Sequence, residues 1–279
     1  MTDWSGSITS CSPFGVSPDV AAPDDQVAAF NLPSASGLAF PGLLVSVRSV
    51  AEAMLVAPLG IDVLDLKEPS QGPLASTTPA VWAEVLAQTA GSVPLSAALG
   101  EFDDAMKLAA NVPPQFKFAK VGPSGSKSVE KLRSQWQAIR DRLSDEVALV
   151  AVAYADYEAA SCPRPELIFE LAASFGLKTW LVDTFAKNGR SSLDHLAALD
   201  LQRISAMAKS TQSQWVLAGS IRIEMLSQES LGSVMPDMFG VRGDVCTHSR
   251  AGEISIPKVQ RWLARLGERQ IKICQTSST

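Results

Sequence analysis

Residues 43–67 read LLVSVRSVAEAMLVAPLGIDVLDLK. A short apolar run, Leu43–Val47, gives way to a segment of helical period, Val50–Val56, and then to a second apolar run, Val63–Lys67. An apolar run too short for a helix, followed by an amphipathic helical stretch, is the pattern of a parallel βα unit, whose strands are covered on both faces. The pattern then recurs along the chain. Further strands are expected at Leu95–Leu99, Phe116–Val121, Ala148–Tyr154, Thr179–Thr184, Trp215–Ala218 and Phe239–Arg242. The helices that follow are expected at Pro79–Thr89, Asp103–Ala109, Val129–Leu143, Pro165–Phe175, Ser192–Lys209, Met225–Leu231 and Pro257–Leu266, with Thr78 and Ser128 placed to cap two of them. Eight such units within roughly 240 residues fit an α/β fold of the TIM (β/α)8 barrel type better than an open doubly wound sheet. No GxGxxG follows the first strand and no GxxxxGK[ST] occurs, so neither a dinucleotide nor a nucleoside triphosphate is indicated.

The chain of 279 residues, 46% of them hydrophobic, suits one large domain, expected at residues 41–270. Residues 1–40, rich in Ser, Pro, Gly and Asp with weak periodicity, are expected to form a flexible extension, and 271–279 a C-terminal tail. A formal net charge of −5 gives no footprint for nucleic acid or an anionic membrane surface, although local phosphate sites remain open. The four cysteines, Cys11, Cys162, Cys246 and Cys274, form no CxxC pair, which argues against a zinc knuckle or a disulfide framework and for a reducing cytoplasm. No basic, apolar leader opens the sequence and no apolar run is long enough to cross a bilayer. Trp136 and Trp262 lie on helices, where they would be buried either in a subunit contact or in the barrel's outer layer; a homo-oligomer is expected.

In a TIM barrel the chemistry sits at the C-terminal ends of the strands. Lysines fall there repeatedly. Lys67 ends the second strand with Asp65 two residues before it, on the same face; Lys120 ends the fourth; Asp183 ends the sixth, with Lys187 in the loop beyond. One Asp-x-Lys could be an ordinary rim ion pair, but three strands delivering charge to one mouth point to function, because buried charge is costly unless paired or used. A lysine desolvated among other cations becomes an amine nucleophile near neutral pH, the requirement for a Schiff base.

The seventh and eighth strands end in Ala218-Gly219-Ser220-Ile221 and Val241-Arg242-Gly243-Asp244. Glycine there lets backbone N–H groups approach a phosphate, so Gly219, Ser220 and Gly243 are candidate phosphate ligands, unless the glycines only relieve crowded turns, and Arg242 either supplies charge or points outward. Asp156 and Tyr154, at the end of the fifth strand, are candidates for a carboxylate base and a phenolic donor, or for satisfying loop backbone. His248 follows the eighth strand and is placed to face the site, while His195 lies in a predicted helix; neither has a second ligand at metal spacing, and neither a metal nor a cofactor is expected.

Taken together, Asp65-Leu66-Lys67-Glu68-Pro69, Lys120-Val121-Gly122, Ala153-Tyr154-Ala155-Asp156, Leu181-Val182-Asp183-Thr184 with Lys187-Asn188-Gly189, Leu217-Ala218-Gly219-Ser220-Ile221 and Gly240-Val241-Arg242-Gly243 resemble the (5-formylfuran-3-yl)methyl phosphate synthase family. The resemblance runs from about Leu43 to Leu266 and leaves out the first forty residues. It implies a TIM barrel that condenses two molecules of glyceraldehyde 3-phosphate into 4-(hydroxymethyl)-2-furancarboxaldehyde phosphate with loss of phosphate and water, for methanofuran synthesis. By that resemblance Lys67 matches the Schiff-base lysine, and Asp65, Lys120, Asp183 and Lys187 match the other active-site charges. A ribulose-phosphate-type decarboxylase would carry a further aspartate three residues after the lysine, where Ser70 stands here. An ordinary Schiff-base aldolase and a non-catalytic phosphate-metabolite sensor also compete with the synthase, the sensor weakened because arginine clamps phosphate better than lysine does.

Overall fold

The computed structural model describes Met1 and residues 41–227, 231 and 234–276. Strands β1 (Gly42–Val47), β2 (Val63–Leu66), β3 (Leu95–Glu101), β4 (Phe118–Gly122), β5 (Ala148–Tyr154), β6 (Thr179–Asp183), β7 (Gln214–Leu217) and β8 (Met238–Val241) form one closed parallel barrel in sequence order. Closure is made by β8 against β1, with Leu44 opposite Gly240. A Cβ at Gly240 would lie 2.9 Å from that of Ala218, so glycine is needed where the strands crowd inside the barrel.

The strand sequences are apolar on both faces, for two different reasons. Leu44, Val63, Phe118, Val150, Leu181, Val216 and Met238 pack with one another in the barrel interior. The alternate residues, such as Leu43, Val45, Leu64, Leu66 and Phe239, pack outward with the helices. The helices are α1 (Val50–Val56), α2 (Pro79–Thr89), α3 (Phe102–Leu108), α4 (Val129–Arg140), the short α5 (Tyr157–Ala160), α6 (Pro165–Phe175), α7 (Ala198–Ser210) and α8 (Ile256–Thr276). Thr78 and Ser128 do cap α2 and α4, accepting hydrogen bonds from the N–H groups of Val81 and Lys131, each cap worth about 1 kcal/mol.

Trp136 on α4 packs on Phe175 and Trp262 on α8 packs on Phe239, each with ring centroids 5.9 Å apart. Both indoles are 1% exposed, which assigns them to the barrel's outer layer. Three element expectations need correction. The stretch expected as one helix from Ser192 begins as a single 3-10 turn, Ser192–Asp194, and α7 starts only at Ala198. Its first turn is closed by Ser191, whose N–H and hydroxyl both donate to the Asp194 carboxylate. The last helix runs to Thr276, through most of the expected C-terminal tail. The helix expected at Met225–Leu231 lies partly outside the described residues, and its start is a 3-10 turn at Ile223–Met225. The expected extension lies outside them as well, apart from Met1. Among the described residues no helix is long and apolar enough to cross a membrane.

Candidate active site

Alternation carries β1, β2 and β3 through the barrel so that Ser46, Asp65 and Ser96 stand side by side in register. Asp65 is fully buried. Its Oδ2 accepts from the Ser46 hydroxyl at 2.8 Å, and its Oδ1 lies 2.6 Å from Nζ of Lys120, which rises from β4. Lys67, just past the end of β2, reaches across to β6 and donates to Asp183 Oδ2 at 3.1 Å. Lys187 reaches the other oxygen, Asp183 Oδ1, at 2.9 Å and also donates to the carbonyl and hydroxyl of Thr184. One carboxylate thus holds two ammonium groups, while a second carboxylate beneath holds a third. Lys67, Lys120, Asp183 and Lys187 line a pocket of about 430 Å³ at the C-terminal mouth, together with Gly219, Ser220, Gly243 and His248.

Protonation follows from this packing. Burial pushes the Asp183 carboxyl up, but Lys187 and Lys67, helped by the Thr184 N–H, outweigh it and hold the group well below the ordinary carboxylate range. Burial pushes Lys120 down; Asp65 opposes this and Lys67 adds to it, and the net effect is a lowered pKa. Lys187 is lowered from 10.5 to about 8, mainly by burial, with Asp183 opposing and Lys67 assisting. Its side chain is 18% exposed, against 10% for Lys67 and 4% for Lys120. Lys187 is therefore expected to be the first of the three to acylate in competitive labelling with acetic anhydride. Labelling followed by peptide mass spectrometry should give it a midpoint near pH 8; a midpoint above pH 10 would contradict the described environment.

Two expected site residues are committed to structural partners, although Arg242 also lines the pocket. Arg242, a candidate for phosphate charge, turns its guanidinium outward to α1. It pairs with both oxygens of Glu52 and donates to the carbonyls of Ser46, Arg250 and Gly252. All five N–H groups are thereby committed. The pair is buried, so Glu52→Ala should strand the guanidinium and destabilise the protein by about 3–5 kcal/mol, measurable by urea unfolding; a change under about 1 kcal/mol, the scale of surface pairs, would show that water replaces Glu52. Asp156 takes the second of its two expected roles, satisfying loop backbone. Its two oxygens accept from the Phe185 and Ala186 N–H groups at 2.7 and 2.8 Å, fixing the loop that leads to Lys187. Tyr154 is likewise occupied, donating to Glu101 at 2.6 Å.

Compared with known proteins, residues 43–263 match the model of the 4-HFC-P synthase family. The chain belongs to the 4-HFC-P synthase family. Within it, the chain is 30% identical over 231 residues to the (5-formylfuran-3-yl)methyl phosphate synthase of Methanosarcina mazei, covering 80% of this chain and 97% of that one. It is 29% identical over 246 residues to the synthase of the same name from Methanococcus maripaludis, covering 84% and 99%. Among solved structures, phosphoribosyl anthranilate isomerase from Thermus thermophilus superposes with a TM-score of 0.54 at 14% identity, over 81% of this chain and 98% of that one, a likeness of fold. Membership of a family of synthases makes this barrel an enzyme.

This 4-HFC-P synthase family member also brings one residue to the pocket, and another near Asp183, that were not expected from its sequence. Glu101, at the end of β3, accepts from Tyr154 and from the Ser124 N–H. Burial, which the Tyr154 bond opposes, leaves its carboxyl raised. Gly122 opposite is the available signal, since a Cβ there would collide with the Glu101 carboxylate. Arg250, in the loop before α8, lines the pocket and donates to the carbonyls of Pro69 and Gly72. No strand-end pattern marks it, because a loop brings it to the site.

Proposed function

We propose that this enzyme is a (5-formylfuran-3-yl)methyl phosphate synthase, a Schiff-base lyase acting on phosphorylated aldehydes. It joins two molecules of glyceraldehyde 3-phosphate into 4-(hydroxymethyl)-2-furancarboxaldehyde phosphate, releasing inorganic phosphate and water, in the biosynthesis of a methanofuran-type one-carbon carrier. The observation that carries this reading is the arrangement of Lys67 and Lys187 on the two oxygens of Asp183, with Lys120 and Asp65 beneath, in one pocket of a 4-HFC-P synthase family barrel.

Lys67 is the nucleophile in this reading. Its amine adds to the aldehyde carbon and water leaves, giving a protonated imine that draws electrons from the neighbouring carbon. Loss of a proton there yields an enamine, which can expel the phosphate from the next carbon or attack a second aldehyde. Asp183, held well below the ordinary carboxylate range, suits the orientation of Lys67 and Lys187 better than carrying a proton. Lys187, lowered to about 8, suits proton transfer near neutral pH. Lys120, buried at 3% exposure, adds positive potential that attracts the phosphorylated substrate. Gly219, Ser220 and Gly243 offer backbone at the corner where this fold binds phosphate.

The reading is tested by supplying purified protein with glyceraldehyde 3-phosphate alone and following furan-aldehyde absorbance and free phosphate together. Both should rise in a fixed ratio. Aldol products without furan would instead make the protein an ordinary Schiff-base aldolase, and binding without turnover would make it a sensor.

A further inference from the structure

We propose that Arg250 is the residue that recognises the substrate's phosphate, gripping it from the β8–α8 loop opposite the backbone N–H groups of Gly219 and Ser220. This rests on the reading of the pocket as one for a phosphorylated aldehyde, and it supplies the cation that Arg242 cannot.

Three observations converge on Arg250. First, its guanidinium is held through one nitrogen only. Nη2 donates to the carbonyls of Pro69 at 2.6 Å and Gly72 at 2.9 Å, both neutral acceptors, while Nε and Nη1 donate to no described residue. The group is half-buried, and burial lowers its pKa while the charge of Asp183 opposes the shift. A partly desolvated cation without a carboxylate partner favours an anion. Second, the place is right: Arg250 lines the pocket, and its Cβ lies 3.6 Å from where a Cβ of Gly243 would be. Third, the opposite wall offers donors. The N–H groups of Gly219 and Ser220 bond to no described residue, although Gly219 is buried, and both residues hold positive φ, +83° and +54°. A left-handed serine is a strained choice, and such strain concentrates where backbone is aimed at a ligand.

Charge pairing agrees. Asp65 answers Lys120 and Glu52 answers Arg242, while Asp183 is shared by Lys67 and Lys187. Arg250 has no carboxylate within ion-pair distance among the described residues, Asp183 and Glu68 acting on it only from farther away, so it is a cation open to a phosphate. Because Pro69 and Gly72 belong to the loop that follows Lys67, Arg250 also ties phosphate recognition to the strand that bears the nucleophile.

The test uses Arg250→Gln and Arg250→Lys in the full chain, with inorganic phosphate as the direct probe by titration calorimetry and glyceraldehyde 3-phosphate as competitor. Loss of the charge and its charge-assisted hydrogen bond should weaken phosphate binding roughly 10- to 100-fold in Arg250→Gln, with lysine restoring part of it. Borohydride trapping of unphosphorylated glyceraldehyde should fall far less than trapping of glyceraldehyde 3-phosphate. Phosphate binding equal to native in Arg250→Gln, or no phosphate binding by the native protein, would overturn the assignment. So would equal losses with phosphorylated and unphosphorylated aldehyde, since these would make Arg250 a loop tether only. A native protein that forms no furan, yet binds phosphate through Arg250, would refute the synthase reading and leave this inference standing.

Discussion

Lys67→Ala is expected to lower furan formation from glyceraldehyde 3-phosphate by roughly four orders of magnitude or more, the scale on which deletion of a covalent nucleophile acts. Lys67→Arg should fare no better. Arginine keeps the positive charge facing Asp183 but has no amine to form an imine, so the pair of variants separates nucleophilicity from charge. Neither should unfold the barrel, because Asp183 keeps Lys187 and the Thr184 N–H as partners. Steady-state rates paired with circular dichroism would check both statements. A Lys67→Ala enzyme within about tenfold of native would remove Lys67 from the mechanism.

Asp183→Asn carries the second largest effect. The amide keeps the shape but removes the charge between one buried and one half-buried ammonium group, so a loss of about 3 kcal/mol in stability is expected, with a fall of roughly two to three orders of magnitude in kcat/KM from misplaced amines. Asp183 raises the pKa of Lys187 against burial, so the Lys187 labelling midpoint should fall below its native value of about 8. The sign for acid is also fixed. The folded pKa of Asp183 lies below the ordinary 3.8, so its stabilisation is complete above that value and is lost as pH falls through the folded value. In Asp183→Asn this acid-dependent portion should vanish from urea midpoints measured between about pH 5 and 2. Unchanged midpoints and an unchanged Lys187 profile would mean that solvent screens the cluster.

The barrel is legible in the sequence because its strands are short apolar runs with regular spacing. Val50–Val56, Pro79–Thr89 and Pro165–Phe175 end where periodicity and capping place them. Lys67, Lys120 and Asp183 are readable for the same reason: a charge in an apolar strand has to face the mouth, and alternation fixes which face Asp65 and Lys67 share. What strand position cannot reveal is which partner satisfies a side chain that has more than one way to turn. Arg242 follows β8 as a phosphate ligand would, but Glu52, nearly two hundred residues earlier in sequence, folds beside it on α1 and claims its guanidinium. Asp156 is consumed by the N–H groups of the loop after β6. Arg250 is hidden for the converse reason, since loops carry no periodicity and its approach to Pro69 and Gly72 depends on closure of the barrel.

The most direct test of the account is to find where the imine forms. Native protein incubated with glyceraldehyde 3-phosphate, reduced with borohydride and digested should show the reduced adduct on the peptide containing Lys67, with Lys120 and Lys187 unmodified. An adduct on Lys120 or Lys187, or furan formation that continues with no trappable adduct, would contradict the assignment of Lys67 as the nucleophile.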